Sequence, residues 1–432
     1  MRLLILLLLL PCAVLAQLPM SDPESVGVSA ERLGRLDKFV QKYIDEGRLN
    51  GTTGIILRDG KIIYHKAFGQ SNVETKAAMQ KDQIFRIASM TKPIVSVAVM
   101  MLWEEGKFAL DDPISKFIPA FSKTQVLDKY NTKDTTFTII PARREITIRH
   151  LLSHTSGIGY PQIGSPYANA IYKKYKINGG IGTPNSSLKD MIPRLAELPL
   201  FNQPGEKFLY GLNTDVLGYL VEVVSGLTLD KFLQQRIFEP LGMKDTYFYL
   251  PTEKQSRLVS LYKQADNGKI SPYNNQLSVD GDPNYPLAKN GQYFSGGAGL
   301  SSTAYDYALF CQMLINGGTL NDKRLLSPHT IELMTTNQIG KLLMWENPDE
   351  IRQFGLGFGL YGEKAKAALP VGLGSYTWGG MFATHFWIDP KNKLVVVFMR
   401  NIWPTQDWDF EDRIKPVIYQ ALTDWRINQL TH

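Results

Sequence analysis

The sequence predicts an α+β fold: an antiparallel sheet flanked by helices, built from both ends of the chain, with a mostly helical domain inserted between them. Three observations predict it. Two β-rich runs, residues 52–58 and 61–68, flank Asp59-Gly60 near the start, and Asp-Gly between such runs is a strong hairpin signal. A second pair, residues 384–389 and 394–399, flanks a turn containing Pro390 and Asn392 near the end. Between them, from residue 111 to about 250, the segments read as helices separated by loops rich in Gly, Pro and Asn.

The elements follow in chain order. Residues 1–16 read as a signal peptide: Arg2, an apolar run to Leu10, and a small residue, Ala16, after which cleavage is expected. The run is shorter than the roughly 20 residues a bilayer span needs, and no later stretch qualifies, so the mature chain is expected to carry no membrane span and to be exported, to a periplasm or beyond the cell. Pro11 stands where a lipoprotein signal usually has a small residue, which argues against lipidation of Cys12. Residues 30–46 place Leu33, Leu36, Phe39, Val40 and Tyr43 at helical spacing. Val216, Leu217, Leu220, Val221 and Val224 make a second apolar helix face, ending at Gly226. A last helix is expected over residues 411–428. The domains are accordingly 17–110 and 251–432 for the sheet domain and 111–250 for the helical one.

Composition excludes several classes. The formal charge of +6 is small for 432 residues and no Lys/Arg cluster stands out, so nucleic-acid binding has no support. Cys311 is the only cysteine beyond the leader, so no internal disulfide is expected and stability must come from an ordinary core. His150 and His154 are spaced i, i+4, but no Glu follows His150 as a His-Glu-x-x-His zinc site requires; neither metal nor cofactor is expected. The Gly-x-Ser-x-Gly elbow of α/β-hydrolases is absent. Ser295-Gly-Gly-Ala-Gly299 lacks the Lys-Ser/Thr of a nucleotide loop and reads as a tight turn near the cleft.

Ser-x-x-Lys occurs at Ser89/Lys92, Ser186/Lys189 and Ser260/Lys263. Context separates the three. Ser89 precedes Pro93, Ile94, Val95, Val97, Val99, Met100, Leu102 and Trp103, a segment apolar nearly all round and hence a buried helix. Positions i and i+3 share a face, so the Lys92 amine can approach the Ser89 hydroxyl. Burial favours the neutral amine, which is a general base, and the helix start offers N–H groups to a developing oxyanion. The bland alternative is an N-cap serine with a solvated lysine. The other two pairs lie in polar, loop-like surroundings. Tyr210, at a turn entering the helix from Thr214, is a candidate for the second proton-transfer group; simple packing is the alternative. Trp378-Gly379-Gly380-Met381 precedes a strand, and paired glycines let a substrate approach its backbone; a β-bulge would look the same.

Together these pieces resemble the serine β-lactamase/penicillin-recognising superfamily in its class C β-lactamase-like branch, over nearly the whole mature chain. The most specific stretches are Phe-Arg-Ile-Ala-Ser-Met-Thr-Lys (85–92), Ile-Thr-Ile-Arg-His-Leu-Leu-Ser-His-Thr-Ser-Gly (146–157) and Phe-Ser-Gly-Gly-Ala-Gly-Leu-Ser-Ser-Thr (294–303). The resemblance implies that Ser89 is acylated, that Lys92 and Tyr210 share proton transfer, and that the N–H groups of Ser89 and Met381 form the oxyanion hole. Two departures stand out. The family commonly has Tyr-x-Asn, whereas Leu212 follows Tyr210 by two and Asn213 is one place too far. Where β-lactamases have Lys-Thr-Gly, Trp378-Gly379-Gly380 stands, similar to the family VIII carboxylesterases. Losing that lysine removes a charge-assisted contact to a substrate carboxylate, worth about 1.5–3 kcal/mol, and an apolar indole suits uncharged acyl or alcohol groups.

The expectation is therefore a serine hydrolase cleaving small esters through an acyl-enzyme on Ser89, with Trp378, Gly379 and Gly380 contacting a small-molecule ester or amide. The alternatives are a β-lactamase or D-amino-acid peptidase acting on cell-wall-type substrates, or a binding protein that keeps the fold. Substrate choice is assigned to the loops at residues 160–184 and 267–292. The oligomeric state is left open.

Overall fold

A computed structural model describes residues 18–182, 185–274 and 281–424; the signal-peptide segment lies outside them. The sheet has eight strands, each antiparallel to its neighbour. Three come from the first part of the chain: β1 (Gly51–Arg58), β2 (Lys61–Asn72) and β3 (Ala77–Ala78). Five come from the last part: β4 (Arg352–Phe354), β5 (Gly359–Tyr361), β6 (Tyr376–Gly379), β7 (His385–Asp389) and β8 (Leu394–Met399). Their order is β4-β5-β6-β7-β8-β1-β2-β3. The two ends meet where β1 pairs with β8, Thr53 opposite Met399 and Arg58 opposite Leu394. Both predicted hairpins are present. Asp59 and Gly60 have φ 51° and 75°, the positive values a two-residue hairpin turn matching the strand twist requires.

Every residue of β1 is buried, because both sheet faces are covered. Ile55 and Leu57 face one core, with α2 (Thr91–Glu104) and α5 (Ala304–Ile315) packed on that side. Ile56 faces the other, closed by α1 (Arg35–Asp45) and α6 (Phe410–Tyr419). Helix α2 is buried from Thr91 to Leu102, which explains why its apolar residues run all round it. The segment predicted as one helix over 30–46 divides at Gly34 into Ala30–Leu33 and α1. The predicted last helix is shorter than expected, and residues 425–428 lie outside the described ones.

The middle of the chain contributes α3 (Ile148–Leu152) and α4 (Asn213–Ser225), the latter ending at Gly226 with φ 73°. One part of it departs from the helical expectation: Gln125–Tyr130 and Phe137–Pro141 form an antiparallel hairpin. Most of its side chains are exposed or half-buried, so no period-2 alternation of polarity marks the strands. Backbone pairing with Leu200, whose carbonyl accepts from Leu127 N–H at 2.8 Å, ties the hairpin down. Among the described residues no helix is long and apolar enough to cross a membrane.

Candidate active site

Ser89 lies where a short strand turns into α2. Phe85–Arg86 pairs with Ser301–Ser302, and Ile87 N–H donates to Leu300 O at 3.0 Å. Ala88 then takes φ 41°, a left-handed conformation costly for a residue with a Cβ. A 3₁₀ turn, Ala88–Met90, carries Ser89 into the helix. Tyr307 OH donates to Met90 O at 2.9 Å, and Leu300 N–H donates to Thr91 Oγ1 at 3.1 Å. The nucleophile candidate is thus braced from three directions.

Lys92 is completely buried. Its Nζ lies 3.2 Å from Ser89 Oγ, 2.9 Å from Tyr160 OH and 2.7 Å from Gly297 O. Burial pulls its pKa down to about 7, opposed by the charge of Asp215. A neutral amine has two N–H donors and one lone pair. Gly297 O can only accept and so takes one N–H, while the Tyr160 and Ser89 hydroxyls can each donate or accept. Gly297 is a glycine by necessity, since a Cβ there would come within 2.5 Å of Asp215 Oδ2 and 3.1 Å of Tyr160 OH. The turn predicted at residues 295–299 therefore supplies a carbonyl to the lysine. Lys189, by contrast, is exposed and Lys263 half-buried.

Tyr210 is buried, with its ring centroid 4.5 Å from Lys92 Nζ and its oxygen accepting from Trp378 Nε1–H at 3.3 Å. Burial raises its pKa, while hydrogen bonds with Ser89 and Trp378 pull the other way. The phenol keeps its proton at neutral pH. Trp378, at the end of β6, is thus engaged with Tyr210 as well as lining the cavity. Beyond it, the turn into β7 is closed by Gly380 N–H to Thr384 O at 2.8 Å and Ala383 N–H to Gly380 O at 2.9 Å. Neither bond uses the Met381 N–H. Ser89, Tyr210, Trp378, Gly379, Gly380 and Met381 all line one cavity of about 680 Å³.

Asn213 does not reach this cluster. Its Nδ2 lies 2.9 Å from His154 Nδ1 and its Oδ1 accepts from Ser156, while Leu212 is wholly buried in the core. His154 is held neutral by burial and by Lys92, and His150 Nδ1 accepts from Thr147 N–H. The two histidines thus have partners within the fold. No group of three His, Cys, Asp or Glu side chains arranged to hold a metal occurs among the described residues.

Four features lie outside the sequence-based expectation. Tyr160, marked only as the start of a loop assigned to substrate choice, touches Lys92. Asp215, buried in the first turn of α4, accepts from Ser295 Oγ at 2.8 Å and Tyr293 OH at 3.4 Å; burial raises its pKa and Lys92 lowers it. An acidic residue in a first helical turn is ordinary capping chemistry, which hides this one. The cavity mouth is walled by Trp345, Trp403 and Trp408, with Ile163 from the 160–184 loop. No described residue of the 267–292 loop lines it, whereas the segments around Trp345 and Trp403 do.

Comparison with known proteins identifies the family. The family described as Beta-lactamase matches residues 36–417. Esterase EstB of Burkholderia gladioli is 30% identical over 395 residues, covering 88% of this chain and 93% of that protein. Lovastatin esterase of Penicillium rubens is 28% identical, covering 91% of this chain and 100% of that protein. The solved structure of EstCE1, described as a hydrolase with promiscuous acyltransferase activity, superposes with a TM-score of 0.79 at 28% identity, covering 90% of this chain and 99% of its own.

Proposed function

We propose that this chain, which belongs to the Beta-lactamase family and is a hydrolase of the serine type, cleaves small carboxylic esters through an acyl-enzyme on Ser89. The observation that carries the reading is the set of contacts on Lys92. On this reading a neutral Lys92 donates to Gly297 O at 2.7 Å and Tyr160 OH at 2.9 Å and turns its lone pair to Ser89 Oγ, 3.2 Å away. A buried amine with a pKa near 7 is half deprotonated at neutral pH and so is matched to proton abstraction.

The steps follow from these positions. Ser89 Oγ attacks the ester carbonyl as its proton passes to Lys92. The carbonyl oxygen gains negative charge and is met by the N–H groups of Ser89 and Met381. Tyr210, kept protonated by burial, donates to the departing alkoxide, and the alcohol leaves. Lys92 passes its proton to Tyr210. Water then takes the alcohol's place and attacks the acyl carbon as it gives a proton to the Lys92–Tyr210 pair. The acyl–Oγ bond breaks as that pair returns a proton to Ser89 Oγ, releasing the acid. Trp378 Nε1–H orients the phenol, and no lysine stands beside Gly379 and Gly380 to select a carboxylate. The aromatic wall of Trp345, Trp403 and Trp408 suits an uncharged, apolar acyl or alcohol group. The esterase names of two relatives support the same substrate class.

Purified protein is expected to hydrolyse p-nitrophenyl butyrate and to show the mass of an acyl group on Ser89 when quenched early. Ser89→Ala is expected to lose both. Full activity in that variant would refute the assignment, and nitrocefin turnover exceeding ester turnover would move the substrate class to β-lactams.

A further inference from the structure

Ala383, in the turn between β6 and β7, has φ 67° and is buried. A left-handed non-glycine residue is costly and persists only where its surroundings hold it. Its carbonyl is held from behind. Arg400, just past the end of β8, donates from Nε to Ala383 O at 3.2 Å. The Arg400 guanidinium lies 4.0 Å over the Phe410 ring. From the front the turn is held by the segment that carries the nucleophile. Thr384 Oγ1 donates to Ile87 O at 3.3 Å, and Gly380 approaches so closely that a Cβ would stand 2.2 Å from that oxygen.

Arg400 is 4% exposed, yet no ion pair involves it among the described residues. Burial disfavours its charge, and Glu411 and Asp409 offset that from beyond ion-pair distance. Glu411 faces the same region, but its Oε1 already accepts from Lys415 at 2.8 Å, Tyr361 at 3.2 Å and Thr377 at 3.3 Å. Arg400 directs its Nε donor at the one strained carbonyl of the turn that carries Met381. Its planar head stacks and donates at once, which a lysine cannot do.

We propose that Arg400 is a positioning residue: by holding Ala383 O it keeps the 380–384 turn in the shape that aims Met381 N–H at the oxyanion formed on Ser89. This rests on the reading of Ser89 and Met381 given above. Once the clamp is released, Ala383 relaxes towards an ordinary backbone conformation and the donor moves away. The loss falls on transition-state stabilisation rather than on substrate binding.

The test uses the full-length enzyme with p-nitrophenyl butyrate. Arg400→Met is expected to lower kcat at least about tenfold with KM changed less than about twofold. Arg400→Lys, which keeps charge but not the Nε donor or the stacking, is expected to lose most of the same kcat. Adding Ala383→Gly to Arg400→Met, so that the left-handed backbone carries no Cβ penalty, is expected to recover most of the loss. Wild-type kcat in Arg400→Met or Arg400→Lys overturns the proposal, as does a double variant no better than Arg400→Met. Ser89→Ala in the same assay separates the two readings: if it stays active, the Ser89 assignment fails, whereas an inactive Ser89→Ala beside an unaffected Arg400→Met sinks only the clamp.

Discussion

Replacing Asp215 by Asn tests the electrostatics of the proposed base directly. Lys92 is pulled towards neutrality by burial and towards charge by Asp215. Lys92 Nζ and Asp215 Oδ2 lie 3.5 and 2.5 Å from the point where a Cβ on Gly297 would stand. They are therefore no more than about 6 Å apart. At an effective dielectric of about 20, two unit charges at that distance attract by about 3 kcal/mol, or roughly two pH units. The sign follows from the form that is favoured. The carboxylate stabilises the ammonium, so removing it lets burial push the lysine further down. In the wild type, kcat/KM is expected to rise with pH through about 7 as Lys92 loses its proton. In Asp215→Asn that acid limb is expected to move to lower pH by about two units, so the variant outperforms the wild type at pH 6 relative to its own plateau. The assay is a kcat/KM profile against pH with an uncharged ester. An acid limb that stays in place, or moves upward, would refute the account of Asp215 as the counter-charge of a lysine base.

Two further outcomes follow from the same geometry. Tyr210→Phe removes the proton donor to the leaving group. It is expected to slow alkyl esters by about 10²–10⁴-fold and p-nitrophenyl esters much less, since nitrophenolate leaves without protonation; equal losses for both would count against that role. Leu212→Asn restores the residue type common in the family, but at a wholly buried position facing the core. Burying an amide without a partner is expected to destabilise the fold by about 1–3 kcal/mol in chemical denaturation, with no gain in nitrocefin turnover. Unchanged stability would show that the position can satisfy a polar group.

Much of the architecture is legible in short stretches of sequence. Asp59-Gly60 marks one hairpin, and the apolar, all-round character of residues 93–103 marks a helix that must be buried. The hairpin at Gln125–Tyr130 and Phe137–Pro141 is not legible, because its side chains are largely solvated and its stability comes from backbone pairing. Asn213 next to Leu212 invited comparison with the Tyr-x-Asn pattern, yet the fold gives its amide to His154. Trp345 left no mark at all in the sequence, although its ring lies 5.1 Å from that of Tyr210 and walls the cavity.

By itself the sequence determined which of three Ser-x-x-Lys pairs opens a buried helix, and therefore that Lys92 lies out of water beside Ser89. That information is local: i, i+3 spacing and the polarity of one helix are written in consecutive residues. Only the tertiary structure decided which groups use the other two valences of the amine. Tyr160 and Gly297 stand 68 and 205 residues away from Lys92. Contacts of this kind depend on how two cores close around one sheet, and no spacing in the chain encodes them. The pKa of Lys92 belongs with them, because it reflects what surrounds the amine once the chain has folded.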